Sequence, residues 1–146
     1  MQEVRYEGEA AQHPFAAMLG KLLQQNLASN PHKWADVQRM RGRVAIVADD
    51  AGVATTLVFD GQNITMHAGI AGAPDVTVRG DSEAIMAMSN VPLHGGVPFP
   101  DPRSTSEREA FGAVIEASRR GTVHTHGMFL HPVLVFRLTR LMSVYP

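Results

Sequence analysis

Pro74-Asp75-Val76-Thr77-Val78-Arg79-Gly80-Asp81-Ser82-Glu83-Ala84-Ile85-Met86-Ala87-Met88 decides how the chain is read. Val76 and Val78 alternate with Thr77 and Arg79, the period-two pattern of a strand with one buried face. Gly80 interrupts that pattern. Asp81 follows as a good helix N-cap, and Glu83 falls in the first turn, where a negative charge suits the helix dipole. Ala84, Ile85 and Met88 then make the apolar side of a short helix. A strand therefore runs through one glycine into a helix that folds back over a sheet.

Working outward toward the N-terminus, Ile64, Met66 and Ala68 alternate with Thr65 and His67 as another strand. Thr55–Phe59 precedes it, and Asp60-Gly61 between the two is a strong hairpin signal because those residues accept positive φ. Val44–Ala48 is apolar on both faces, which suits a central strand, and Asp49–Gly52 is a turn. These strands are expected to form an antiparallel meander with 76–79 as its fourth member. Upstream, Phe15, Met18, Leu19, Leu22 and Leu23 recur at helical spacing, which predicts an amphipathic helix from about Pro14 to Leu27. Trp34 sits in a short segment read as a further helical turn and as core. Residues 1–12 are polar and are expected to be a flexible arm.

Working outward toward the C-terminus, Pro92–Pro102 is too rich in Gly and Pro to be regular. Ser104 with Glu107, and Ser106 with Glu109, have capping-box spacing ahead of Phe111, Val114 and Ile115. Arg119, Arg120 and Gly121 end that helix. Thr122–Gly127 is a fifth strand. A last helix starts near Pro132 with Leu134, Leu138, Leu141 and Met142 on its apolar side and Arg137 and Arg140 on the other.

Composition narrows the function classes. The chain has 146 residues, 45% of them hydrophobic and 18% charged, which supports a single domain of residues 13–146 with a real core. A net charge of −1 argues against nucleic acid as the main partner. The absence of cysteine excludes disulfides, thiolate metal sites and a cysteine nucleophile. No stretch has the ~20 apolar residues of a membrane-spanning helix, and no signal peptide is visible, so a cytoplasmic location is expected.

No Gly-x-Gly-x-x-Gly, phosphate loop or Gly-x-Ser-x-Gly elbow occurs. His124-x-His126, with His131 nearby, is the best candidate for chemistry, since residues i and i+2 of a strand face the same way and suit a metal. The ordinary alternative places them on the polar side of an outer strand, with His131 capping the last helix. Arg39, Arg41, Arg43, Arg137 and Arg140 suit anionic lipid headgroups; a solvated face is the default for such charges. Eight methionines supply adaptable apolar surface, more often core than ligand platform.

The Phe59-Asp60-Gly61 hairpin, Pro-Asp-Val-Thr-Val-Arg-Gly at 74–80, Gly-x-Val-x-x-x-Gly at 121–127 and Arg-Leu-Thr-Arg-Leu-Met-Ser-Val at 137–144 come in a familiar order. Over roughly residues 14–144 the chain resembles the sterol carrier protein type 2 (sterol-binding) domain family. That resemblance implies an α+β fold, a five-stranded mainly antiparallel sheet with helices packed on one face. It also implies a tunnel between sheet and helices for a fatty acid, acyl-CoA or sterol-like lipid, with no cofactor and no shared catalytic residues. The chain departs from the family in an insertion at about 91–120. Carried onto this sequence, the tunnel-facing positions are Ile85, Met88, Phe111, Ile115, Leu134, Leu138 and Leu141. Apart from the resemblance, His94 and Arg79 are candidates for orienting a headgroup at the mouth. The expectation is a non-enzymatic binder of an apolar ligand. The rivals are a dimerisation or interaction module with a filled core, and a metal-dependent enzyme using His124, His126 and His131.

Overall fold

Two strands expected as neighbours are separated by two others. A computed structural model describes residues 2–87, 109, 123–127 and 129–144. Met88, His94, Phe111, Ile115 and, Glu109 apart, the insertion at 91–120 lie outside the described residues.

Strand β1 is Val4–Tyr6, and a 3-10 turn at Ala10–Gln12 leads into α1, Pro14–Ser29. A second 3-10 turn, Pro31–Lys33, continues as α2, Trp34–Gln38. Then come β2 (Arg41–Ala48), β3 (Val53–Asp60), β4 (Ile64–Ala68), β5 (Val76–Gly80) and α3 (Ser82–Ala87). Strand β6, Val123–His126, and helix α4, Pro132–Met142, complete the described elements.

The sheet has six strands among the described residues, in the order β1-β4-β3-β2-β5-β6. It is mixed, which corrects the expected five-stranded, mainly antiparallel meander. β2, β3 and β4 pair antiparallel, but β5 lies beside β2 in parallel, with Val44 opposite Val76 and Ile46 opposite Val78. β6 pairs antiparallel with β5. Alternation reveals which residues of a strand face the core and says nothing about which neighbour it takes.

Polar contacts draw residues 69–75 across the sheet from β4 to β5. The Thr56 hydroxyl donates to the Gly69 carbonyl at 2.8 Å and accepts from the Ala71 amide at 2.9 Å. Arg43 donates through Nη1 to the Ala71 carbonyl at 2.9 Å. The sixth strand, β1, comes from the segment read as an arm. It pairs parallel with β4, and the Tyr6 ring lies where Gly20 of α1 carries no side chain.

Pairing sets the two faces of the sheet. Val44, Ile46, Leu57, Phe59, Ile64, Met66, Val76 and Val78 share one face and one buried cluster with the helices. Phe15, Leu19, Leu23 and Leu27 give α1 its buried ridge, whereas Met18 points outward. Ile85 of α3 and Leu134, Leu138 and Leu141 of α4 join the same cluster. The other face carries Arg43, Thr56, His67, Thr77 and Arg79.

The Asp60-Gly61 hairpin and the Asp81 cap are found as read, while the capping boxes at 104–109, Glu109 apart, lie outside the described residues. Asp60 accepts from the Asn63 and Gln62 amides at 2.7 and 2.8 Å, and those amides hold its carboxyl below the usual carboxylate range. Asp81 caps α3 by accepting from the Ala84 amide at 2.8 Å.

Candidate functional site

Where α4 meets the junction of α2 and β2, a cleft of about 610 Å³ opens. It is lined by Gln38, Arg39, Met40, Arg41, Leu130, His131, Pro132, Val133, Leu134 and Arg137. The local sequence accounts for the opening. Helix α2 is short and turns directly into β2, so Met40 becomes buried floor while Arg39 and Arg41 stay at the rim.

Gly42 follows with φ +135, and a Cβ there would stand 2.7 Å from Asp75 Oδ2 and 3.4 Å from Leu134 Cδ2. The missing side chain lets Leu134 and Asp75 close on the start of β2. Asp75 uses the approach, as its Oδ2 accepts from the Arg43 amide at 2.9 Å. Its Oδ1 lies 3.9 Å from His131 Nε2.

The floor is apolar, from Met40 and Leu134, and among the described residues the wall carries the guanidinium groups of Arg39, Arg41 and Arg137, with the His131 imidazole beside them. Arg41 Nη1 donates to the Asp60 carbonyl at 3.1 Å. Arg137 Nη1 donates to the Arg39 carbonyl at 2.9 Å, and its Nε lies 3.8 Å from Asp36 Oδ1. Asp36, buried, also stands 3.3 Å from Arg140 Nη2. Two arginines thus share one carboxylate. The sequence placed Arg137 and Arg140 on a solvated face, but both turn toward α2 to meet Asp36.

The far end of α4 is tied down differently. Asn26 of α1 donates through Nδ2 to the Leu141 and Met142 carbonyls, each at 2.9 Å. Lys33 Nζ donates to the Ser143 carbonyl at 2.7 Å although the residue is only 1% exposed. Positive charge suits this end of a helix, where the carbonyls lack intrahelical partners. Burial first, and the Arg140 guanidinium second, push the Lys33 amine down to about 8, while Asp36 pulls the other way.

Of the tunnel-facing residues named from sequence, Leu134 lines the cleft, whereas Ile85, Leu138 and Leu141 belong to the core cluster and not to the cleft lining. Arg79 sits on the opposite face of the sheet, paired to Asp49 at 2.9 Å, away from the cleft. His124 and His126 do share a face, with ring centroids 6.5 Å apart. His131 faces Asp75 and makes no side-chain cap to α4. Among the described residues no group of three His, Cys, Asp or Glu side chains comes together to hold a metal ion.

Sequence reasoning missed Met40, Leu130 and Val133. Phe129-Leu130 ahead of Pro132 was the available signal, an apolar pair at a turn where polar residues are usual.

No family model matches the chain, and no curated protein matches it. Among solved structures it is similar to one titled "UbiJ-SCP2 Ubiquinone synthesis protein", at 16% identity. The match covers 87% of this chain and 90% of that one, with a TM-score of 0.56. The protein thus has a fold like that of a sterol-carrier-type domain, built on a mixed sheet with helices over one face.

Proposed function

We propose that the protein binds an apolar or amphiphilic lipid, entering at the cleft between α2, β2 and α4, and acts as a carrier without catalysing a reaction. The observation that carries this reading is Leu134, which belongs both to the cleft wall and to the core cluster between sheet and helices. A ligand chain seated at the cleft is thereby directed toward Ile85, Leu138 and Leu141. Affinity would come from apolar burial, about 25 cal/mol per Å² before the costs of association. The sterol-carrier-like fold supports the reading, and fatty acids, acyl-CoA and sterol-like lipids are its candidate ligands.

One observation favours a second reading. Ile85, Leu138 and Leu141 are essentially inaccessible to solvent, as in an interaction module whose core is filled by its own side chains.

The test is organic extraction and native mass spectrometry of the purified protein, followed by titration with a fluorescent fatty acid and a fluorescent sterol. A co-purifying lipid, or saturable uptake of either probe, is expected. A protein that purifies empty and takes up neither probe returns the choice to the second reading.

A further inference from the structure

Beside the cleft mouth the protein exposes apolar side chains on a tip and a helix. Phe129 is 95% exposed and Leu130 83%, on the turn that leads from β6 into α4. Val133 at 56% and Phe136 at 39% continue them along the helix at steps of three and four residues. Scattered single apolar residues are ordinary on a protein surface; a contiguous set rimmed by polar groups marks an interaction site.

We infer that this ridge is a docking surface for an anionic lipid bilayer. The rim supplies the reason to choose that occupant. Arg39, Arg41, Arg137 and His131 line the adjoining cleft, and among the described residues no carboxylate does. Asp36 is shared between Arg137 and Arg140, and among the described residues Arg39 and Arg41 outnumber Asp75, the one carboxylate left beside the rim. An apolar tip with basic flanks is the pattern by which helices lie in the headgroup region of acidic membranes.

A second copy of the chain fits less well. A two-fold interface sets the same patch against itself, and so would bring together two surfaces with the same basic flanks. The bilayer satisfies both halves of the surface, with acyl chains for Phe129 and Leu130 and phosphates for the guanidinium groups. Docking there would also set the cleft mouth against the membrane, so that a lipid passes in without crossing water. That last consequence rests on the function proposed above, whereas docking itself does not.

The experiment is co-sedimentation of the full, ligand-free chain with vesicles of phosphatidylcholine, with or without a quarter of phosphatidylglycerol. Binding is expected only to the acidic vesicles and is expected to fall away at about 0.5 M salt, where surface charges are screened. Phe129→Ser with Leu130→Ser, both at exposed positions, should weaken it by about tenfold or more. Arg39→Gln should weaken it about fivefold.

Equal binding to neutral vesicles, no binding to either kind, or binding untouched by the double substitution overturns the inference. So does a dimer in light scattering that the double substitution disperses, since the ridge would then be covered by a second copy. Uptake of the fluorescent fatty acid is measured separately, without vesicles. A protein that docks yet takes up nothing supports this inference and sinks only the lipid-carrier reading.

Discussion

Gly127 closes β6 with φ +84, and a Cβ there would stand 2.1 Å from the carbonyl oxygen of Asp75. Backbone cannot move aside as a flexible side chain would. Its own carbonyl accepts from the Leu130 and His131 amides at 3.2 and 3.0 Å, so the turn into α4 is built on this residue. Gly127→Ala is expected to cost more than about 2 kcal/mol, combining left-handed strain with the backbone clash. Urea unfolding measures it, and a loss below about 0.5 kcal/mol would show that the turn relaxes freely. The glycine was legible as the end of Gly-x-Val-x-x-x-Gly. Asp75, the residue it packs on, was legible only as the start of a strand, because nothing in a linear pattern shows which distant backbone will lie against it.

Helix α4 is the element on which the cleft, the apolar ridge and the core all depend. Its apolar stripe was readable from spacing, and Leu134, Leu138 and Leu141 are buried as that stripe requires. Its polar attachments were not. Lys33 carries no local mark of burial, since a lysine beside a turn is normally solvated, and its environment is made by Ser143 and Arg140 from the other end of the chain.

The lowered Lys33 pKa fixes a pH dependence. Below about 8 the amine is protonated in both folded and unfolded chains, and the full cost of the buried charge is present. From there to the ordinary lysine value of 10.5 the folded protein releases its proton first, so the unfolded chain binds more protons and this group's contribution to stability rises with pH. The rise amounts to at most about 3 kcal/mol. Lys33→Met should flatten the difference between unfolding free energies measured at about pH 7.5 and about pH 10. An unchanged difference would mean that the amine reaches water in solution.

At the scale of the molecule, the positions of β2 to β6 and the buried faces of α1 and α4 were readable, because periodicity is a property of consecutive residues, whereas the three residues of β1 are too few to show any. The pairing of β5 with β2 was not, because the contacts of Thr56 and Arg43 with residues 69–71 exist only after the strands have assembled. The candidate site was legible in part. Leu134 came from the stripe and the rim arginines from their alternation, while Met40, Leu130 and Val133 emerged only when α2 and α4 were set against each other.

The remaining question, a filled or an open interior, has its own test. Leu138→Ala in a close-packed core should cost about 2–5 kcal/mol. A loss well under about 1 kcal/mol, accompanied by changed lipid uptake, would place Leu138 on the wall of a ligand space instead.

The attachment of α4 to α1 also bears on time. Asn26 reaches Leu141 across 115 positions of sequence, and Lys33 reaches Ser143 across 110. Closing loops of that length is entropically expensive early in folding, whereas β2 and β3 meet through a short turn. The hairpins are therefore the natural nucleus, and the link between the helices forms late. Interactions made after the transition state leave the folding rate nearly untouched and slow the escape from the native state. Asn26→Ala is therefore expected to speed unfolding more than it slows folding, as stopped-flow unfolding and refolding in urea would measure.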